Sequence, residues 1–148
     1  MADPNSITRI NEIDGFTHRA EKRATGDANT VAQTLAVVRN LPLASAGTVP
    51  AWVLFLWIET STDTHATFAS YVGARARVNT QLFTNTRYNV STSASTLPTP
   101  VVTVNAAAGT ITIATTASAV ADGAIAYVVR TEYRTIGADA PAEVPYID

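Results

Sequence analysis

The stretch Val49–Glu59, VPAWVLFLWIE, constrains the fold more than any other part of this chain. A strand places alternate side chains on opposite faces, so a half-covered strand alternates apolar with polar residues. Here Trp52, Leu54, Leu56 and Ile58 fall on one face and Val53, Phe55 and Trp57 on the other. The run is far short of the roughly 20 residues of a membrane-spanning helix, which excludes a span. It therefore reads as a strand with two apolar faces, of which a two-layer sheet structure covers only one with its own core. Burying a large apolar side chain is worth roughly 1.5–3 kcal/mol, so the second face calls for a cover. Three covers are open: a neighbouring subunit, an Ile/Phe-bearing segment of the chain itself, or a ligand stacked on Trp57.

The rest of the middle region also reads as strands. In AIAYVVRTEYR, Ile125, Tyr127, Val129, Thr131 and Tyr133 alternate with a second set that ends in Arg130, Glu132 and Arg134. VVTVNAAAGTITIATT is two β-branched runs around a short loop, with Gly109 placed to take positive φ. YVGARARV puts Val72, Ala74, Ala76 and Val78 on one face and Tyr71, Arg75 and Arg77 on the other. Asp122-Gly123 is a turn signal before the last long strand, and the prolines of LPTP mark a loop. Six to nine short strands punctuated by turns imply an all-β class, an antiparallel sandwich or small barrel. An antiparallel β-sandwich, jelly-roll-like, is expected over residues 28–137.

The two ends differ in composition. Residues 1–27 hold four basic and five acidic side chains, including the only lysine, Lys22, with Ile7, Ile10, Ile13 and Phe16 recurring every third position. That spacing fits a short helical turn or an extended arm laid along another surface. Gly15 argues against one continuous helix, and an extended N-terminal arm is expected. Residues 138–148 contain two prolines and three acids and read as an extended C-terminal tail.

Function classes narrow by exclusion. A net charge of −2 gives no general attraction to nucleic acid or anionic membrane. Residues 28–137 set six arginines against four acids, so Arg75, Arg77 and Arg87 read as a solvated face or interface ion pairs rather than a phosphate footprint. No cysteine is present, which removes disulfides and thiol chemistry. Charges in MADPNSITRINEIDGF occupy the place of a signal peptide's apolar core, so no secretory signal is expected. Glu59, Asp63 and His65 could supply acid–base or metal-binding groups, but polar residues belong in a turn between strands anyway. Phosphate-loop, hydrolase-elbow and zincin motifs are absent. We expect no catalytic residues, no cofactor and no metal.

The series ANTVAQTLAVVRNLPL, AWVLFLWIE, the polar turn TSTDTH, FASYVGARARV and the closing strands up to VVRTEY resembles the β-sandwich domains of tailed-bacteriophage virion proteins. Such domains occur in tail appendages and in capsid decoration (cement) proteins. The resemblance spans roughly residues 28–136 and is one of strand order and loop position. It implies a structural component located in the virion, binding the major capsid or a tail protein. A homo-oligomer is expected, with no nucleic-acid or membrane partner. Candidate interface residues are Val53, Phe55 and Trp57 of the apolar face, Ile7, Ile10, Ile13 and Phe16 of the arm, and Arg75 and Arg77. The alternatives are a tail or tail-fibre component, or a carbohydrate-binding adhesion module presenting aromatics to sugar.

Overall fold

The computed structural model describes residues 7–12, 16–28, 33–42, 50–61, 65–76, 81–91, 100–115, 123–137 and 144–148. Ten strands run in chain order: β1 (Ile7–Glu12), β2 (Thr17–Ala28), β3 (Thr34–Arg39), β4 (Trp52–Ser61), β5 (His65–Arg75), β6 (Gln81–Ser91), β7 (Val101–Asn105), β8 (Thr110–Ala114), β9 (Gly123–Thr135) and β10 (Tyr146–Ile147). They form two antiparallel sheets, a larger one ordered β1-β2-β9-β4-β5-β6 and a smaller one ordered β10-β3-β8-β7. The chain is an all-β sandwich.

The alternation in β4 and β9 builds the interface between the layers. Trp52, Leu54, Leu56, Ile58 and Val129 are buried from the larger sheet, against Leu35, Val38, Ile111, Ile113 and Ile147 of the smaller one. A bulge between Thr34 and Ala36 turns both Leu35 and Ala36 inward. It also leaves Leu35 outside the ladder register, and the Leu35 carbonyl accepts hydrogen bonds from Lys22 Nζ (2.8 Å) and the Tyr127 hydroxyl (2.9 Å). Further along, Pro42 O accepts from Arg75 Nη1 on β5 at 2.7 Å. The segment 35–42 therefore crosses the larger sheet diagonally, from β2 and β9 towards β5.

The β7–β8 hairpin has the expected glycine geometry. Gly109 has φ of 64°, and a Cβ there would meet Leu41 O at 2.4 Å, so both conformation and space require glycine. Asn105 Oδ1 accepts from Ala108 N at 3.1 Å and shapes the loop. Asp122 lies outside the described residues, and β9 begins at Gly123.

The described residues of both terminal segments lie in or against the sheets, which corrects the reading of residues 1–27 as an extended arm. Thr17–Ala28 is β2, paired with β9 along its whole length, and β1 pairs outside it. The inward positions of β2 are His18, Ala20, Lys22 and Ala24. Two alanines, a histidine and a lysine hid a buried face from any search for large apolar alternation. In the C-terminal segment, Ile147 is buried, and Asp148 exchanges backbone hydrogen bonds with Val37 at 2.8 and 3.0 Å. Asn40, with φ of 65°, donates its side-chain amide to Val144 O at 3.2 Å and fixes where this last strand docks.

Candidate interaction surface

β4 is flanked by β9 and β5, and this places its second apolar face on the outside of the larger sheet. Across from β9, Val53 pairs with Arg134, Phe55 with Glu132 and Trp57 with Arg130. Across to β5, Val53 pairs with Ala74, Phe55 with Val72 and Trp57 with Ser70. Paired residues in an antiparallel sheet share a face. The outer surface is thus charged towards β2 and β9 and apolar towards β5, with the two rings between.

The rings of Phe55 and Trp57 lie 5.8 Å apart at 12°, nearly parallel. Arg134 places its guanidinium 5.2 Å from the Phe55 centroid, and Arg130 stands 5.9 Å from that of Trp57. Each such contact contributes roughly 0.5–1 kcal/mol at an exposed site. The same arginines are ion-paired: Arg130 Nη2 with Glu59 Oε1 at 2.7 Å, and Arg134 Nε with Glu132 Oε1 at 3.3 Å. Arg19 adds a second contact to Glu132 at 3.5 Å, and Glu21 holds Arg23. The hydrogen bond from Arg23 to Glu21, and then the carboxylate's charge, raise the Arg23 guanidinium above its ordinary value. A shallow depression of about 390 Å³ lies over Trp57, between Arg19, Arg130 and Glu132. A second, of about 590 Å³, is bounded by Glu59, Phe68, Arg23 and Val128.

So β9 supplies the partial cover for the second face of VPAWVLFLWIE. Val53, Phe55 and Trp57 are brought together as expected, each half-buried, with Val72 exposed beside them. Arg130, Arg134, Glu132 and Arg19 belong to the same surface and were missed. The outward parity of Arg130, Glu132 and Arg134 in β9 is visible in the sequence. The β4–β9 pairing that sets the two arginines over the rings is not, nor is the β2–β9 pairing that brings Arg19 beside Glu132.

The other candidates do not join this site. Arg75 is only 2% exposed and points into the sandwich beside Tyr133, so its reading as an interface residue is corrected. The parity of β5 is inverted relative to hydropathy, with Tyr71, Gly73 and Arg75 inward and Val72 and Ala74 outward. Arg77 and Ile13 lie outside the described residues. Ile7 and Ile10 sit in β1 opposite Arg23 and Ala20, at the margin of the sheet and three strands from β4. Phe16 is exposed at the start of β2, where its carbonyl accepts from Thr135 N at 3.1 Å. Glu59 is occupied by Arg130, and no group of metal-ligating side chains occurs among the described residues.

No family model matches the chain, and neither the curated proteins nor the solved structures contain a match to it.

Proposed function

We propose that this chain is a structural protein that binds other protein surfaces through the outer face of its larger sheet, in its most specific form a bacteriophage capsid decoration protein. A tail component of the same construction is the near variant. One observation carries the binding reading: a Phe55–Trp57 pair at the centre of an exposed sheet face, framed by arginines whose charges are already balanced by Glu59 and Glu132. Aromatics and arginine dominate the centres of protein–protein contacts, while unpaired charge is depleted there. The virion assignment rests on the strand-order resemblance.

The parallel ring pair is also the one observation that favours a glycan platform. Sugars, however, stack on free ring faces, and here guanidinium groups stand over both rings. Protein contact is the better fit.

Light scattering of the purified chain over a concentration series, with and without Trp57→Ser, tests the reading. Loss of a central tryptophan weakens association by about 2 kcal/mol, close to 30-fold. Unchanged association after Trp57→Ser, together with unchanged sedimentation onto undecorated particles, overturns the outer-face role.

A further inference from the structure

The two sheets have four edge strands, and three are protected against further pairing. β1 carries Arg9 and Glu12, β6 carries Arg87, and β10 is only two residues long beside the Arg39–Asp148 ion pair at 3.0 Å. β7 differs from all of them. Its sequence, VVTVN, has no charge and no proline, and its five pairs with β8 run in unbroken register without a bulge. Charges, prolines, bulges and shortness are the usual means of blocking an edge. β7 has none apart from modest length.

Its side chains are also left uncovered. Val101 is 44% exposed on the outward face. Val102 and Val104 share the inward face, since they pair with buried Ile113 and Ile111, yet Val104 keeps 36% exposure. β7 lies two strands beyond β3, at the end of the smaller sheet away from β10. Among the described residues no strand pairs with the free edge of β7.

We infer that β7 is a strand-addition site whose occupant is β7 of a second copy, paired antiparallel about a two-fold axis at Thr103. The sequence is complementary to itself in that register. Val102 meets Val104 on the inward side, closing apolar contact where each copy alone leaves it open, and Thr103 meets Thr103 on the outward side. A shift to an odd-numbered offset would place valine against the opposite face. Main-chain hydrogen bonds supply the affinity and the alternating side chains the register. Two four-stranded sheets then become one continuous sheet across the dimer. This inference stands apart from the Phe55–Trp57 surface, which lies on the other sheet, so either can fail alone.

Single-cysteine variants of the full chain test it, because the natural sequence contains no cysteine. Directly opposed residues of an antiparallel pair have Cα atoms about 4.5–5.5 Å apart, within the range a disulfide spans. Under mild oxidation, Thr103→Cys is expected to yield a covalent dimer at least 10-fold faster than Val101→Cys, which faces Asn105, or Val72→Cys on the outer face. As a second arm, Thr103→Lys and Thr103→Glu should each lose self-pairing through this edge, and mixing the two should restore it as a heterodimer. Equal cross-linking of the three cysteine variants, or no pairing in the Lys/Glu mixture, overturns the proposal. Cross-linking confined to Val72→Cys would overturn it too and would point to the outer face.

Discussion

Arg75 is a buried cation on a strand otherwise lined inward by small residues and Tyr71. Its Nη1 donates to Pro42 O at 2.7 Å, while its Nη2 is buried without a partner among the described residues. A buried charge so placed costs desolvation that one carbonyl does not recover. Arg75→Met, which fills the same space without charge, should therefore lie within about 1 kcal/mol of the native chain, whereas Arg75→Ala should lose about 2–4 kcal/mol to the cavity; urea unfolding measures both. Next to it, burial pushes the Tyr133 phenol up to about 12, with the Arg75 charge opposing. In the unfolded chain the phenol titrates near 10. Below pH 10 both states keep the proton; above it only the unfolded state loses it, so stability falls until the folded phenol ionises near 12. That decline amounts to roughly 2–3 kcal/mol. Tyr133→Phe should flatten it in alkaline unfolding curves. The sequence showed Arg75 as one of a pair of arginines on a polar face, because a strand's parity says which residues share a side, not which side is inside.

Single strands were legible where large side chains alternate with small or polar ones. β9 could be assigned face by face from Tyr127 and Val129, and the β7–β8 hairpin from its glycine, whereas β4 showed its two sets of side chains but, with both apolar, not which lies inside. β2 could not. Its inner face is Ala20, Ala24 and the stem of Lys22, whose ammonium reaches Leu35 O, so burial there follows from smallness and snorkelling rather than hydropathy. The strand matters all the same, since it covers β9 along twelve paired positions from Thr17 to Ala28. Deleting residues 1–27 is accordingly expected to abolish cooperative unfolding rather than leave a trimmed sandwich. Loss of the folded amide dispersion in a proton NMR spectrum would register this; a well-folded truncated chain would show that β2 is dispensable.

At the scale of the molecule, composition and turn spacing were enough for a two-layer antiparallel fold, because strands with one apolar face have few other ways to hide it. The pairing order was not accessible. β9 lies between β2 and β4, so the two pairings that hold the middle of the larger sheet together join strands distant in sequence. The partial shielding of Trp57 by Arg130 depends on that order, and so did the site. Placing β9 between β2 and β4 also sets a timetable. Ala28 and Gly123, which end up paired, are separated by 95 positions of chain, and a ribosome adding roughly 5–20 residues per second takes on the order of 5–20 s to cross that interval. Once β4 is complete at Ser61, β2 and β4 wait without the strand that joins them. The fold is therefore closed from its last fifth backwards, and a nascent chain halted before β9 holds two unjoined pieces of one sheet.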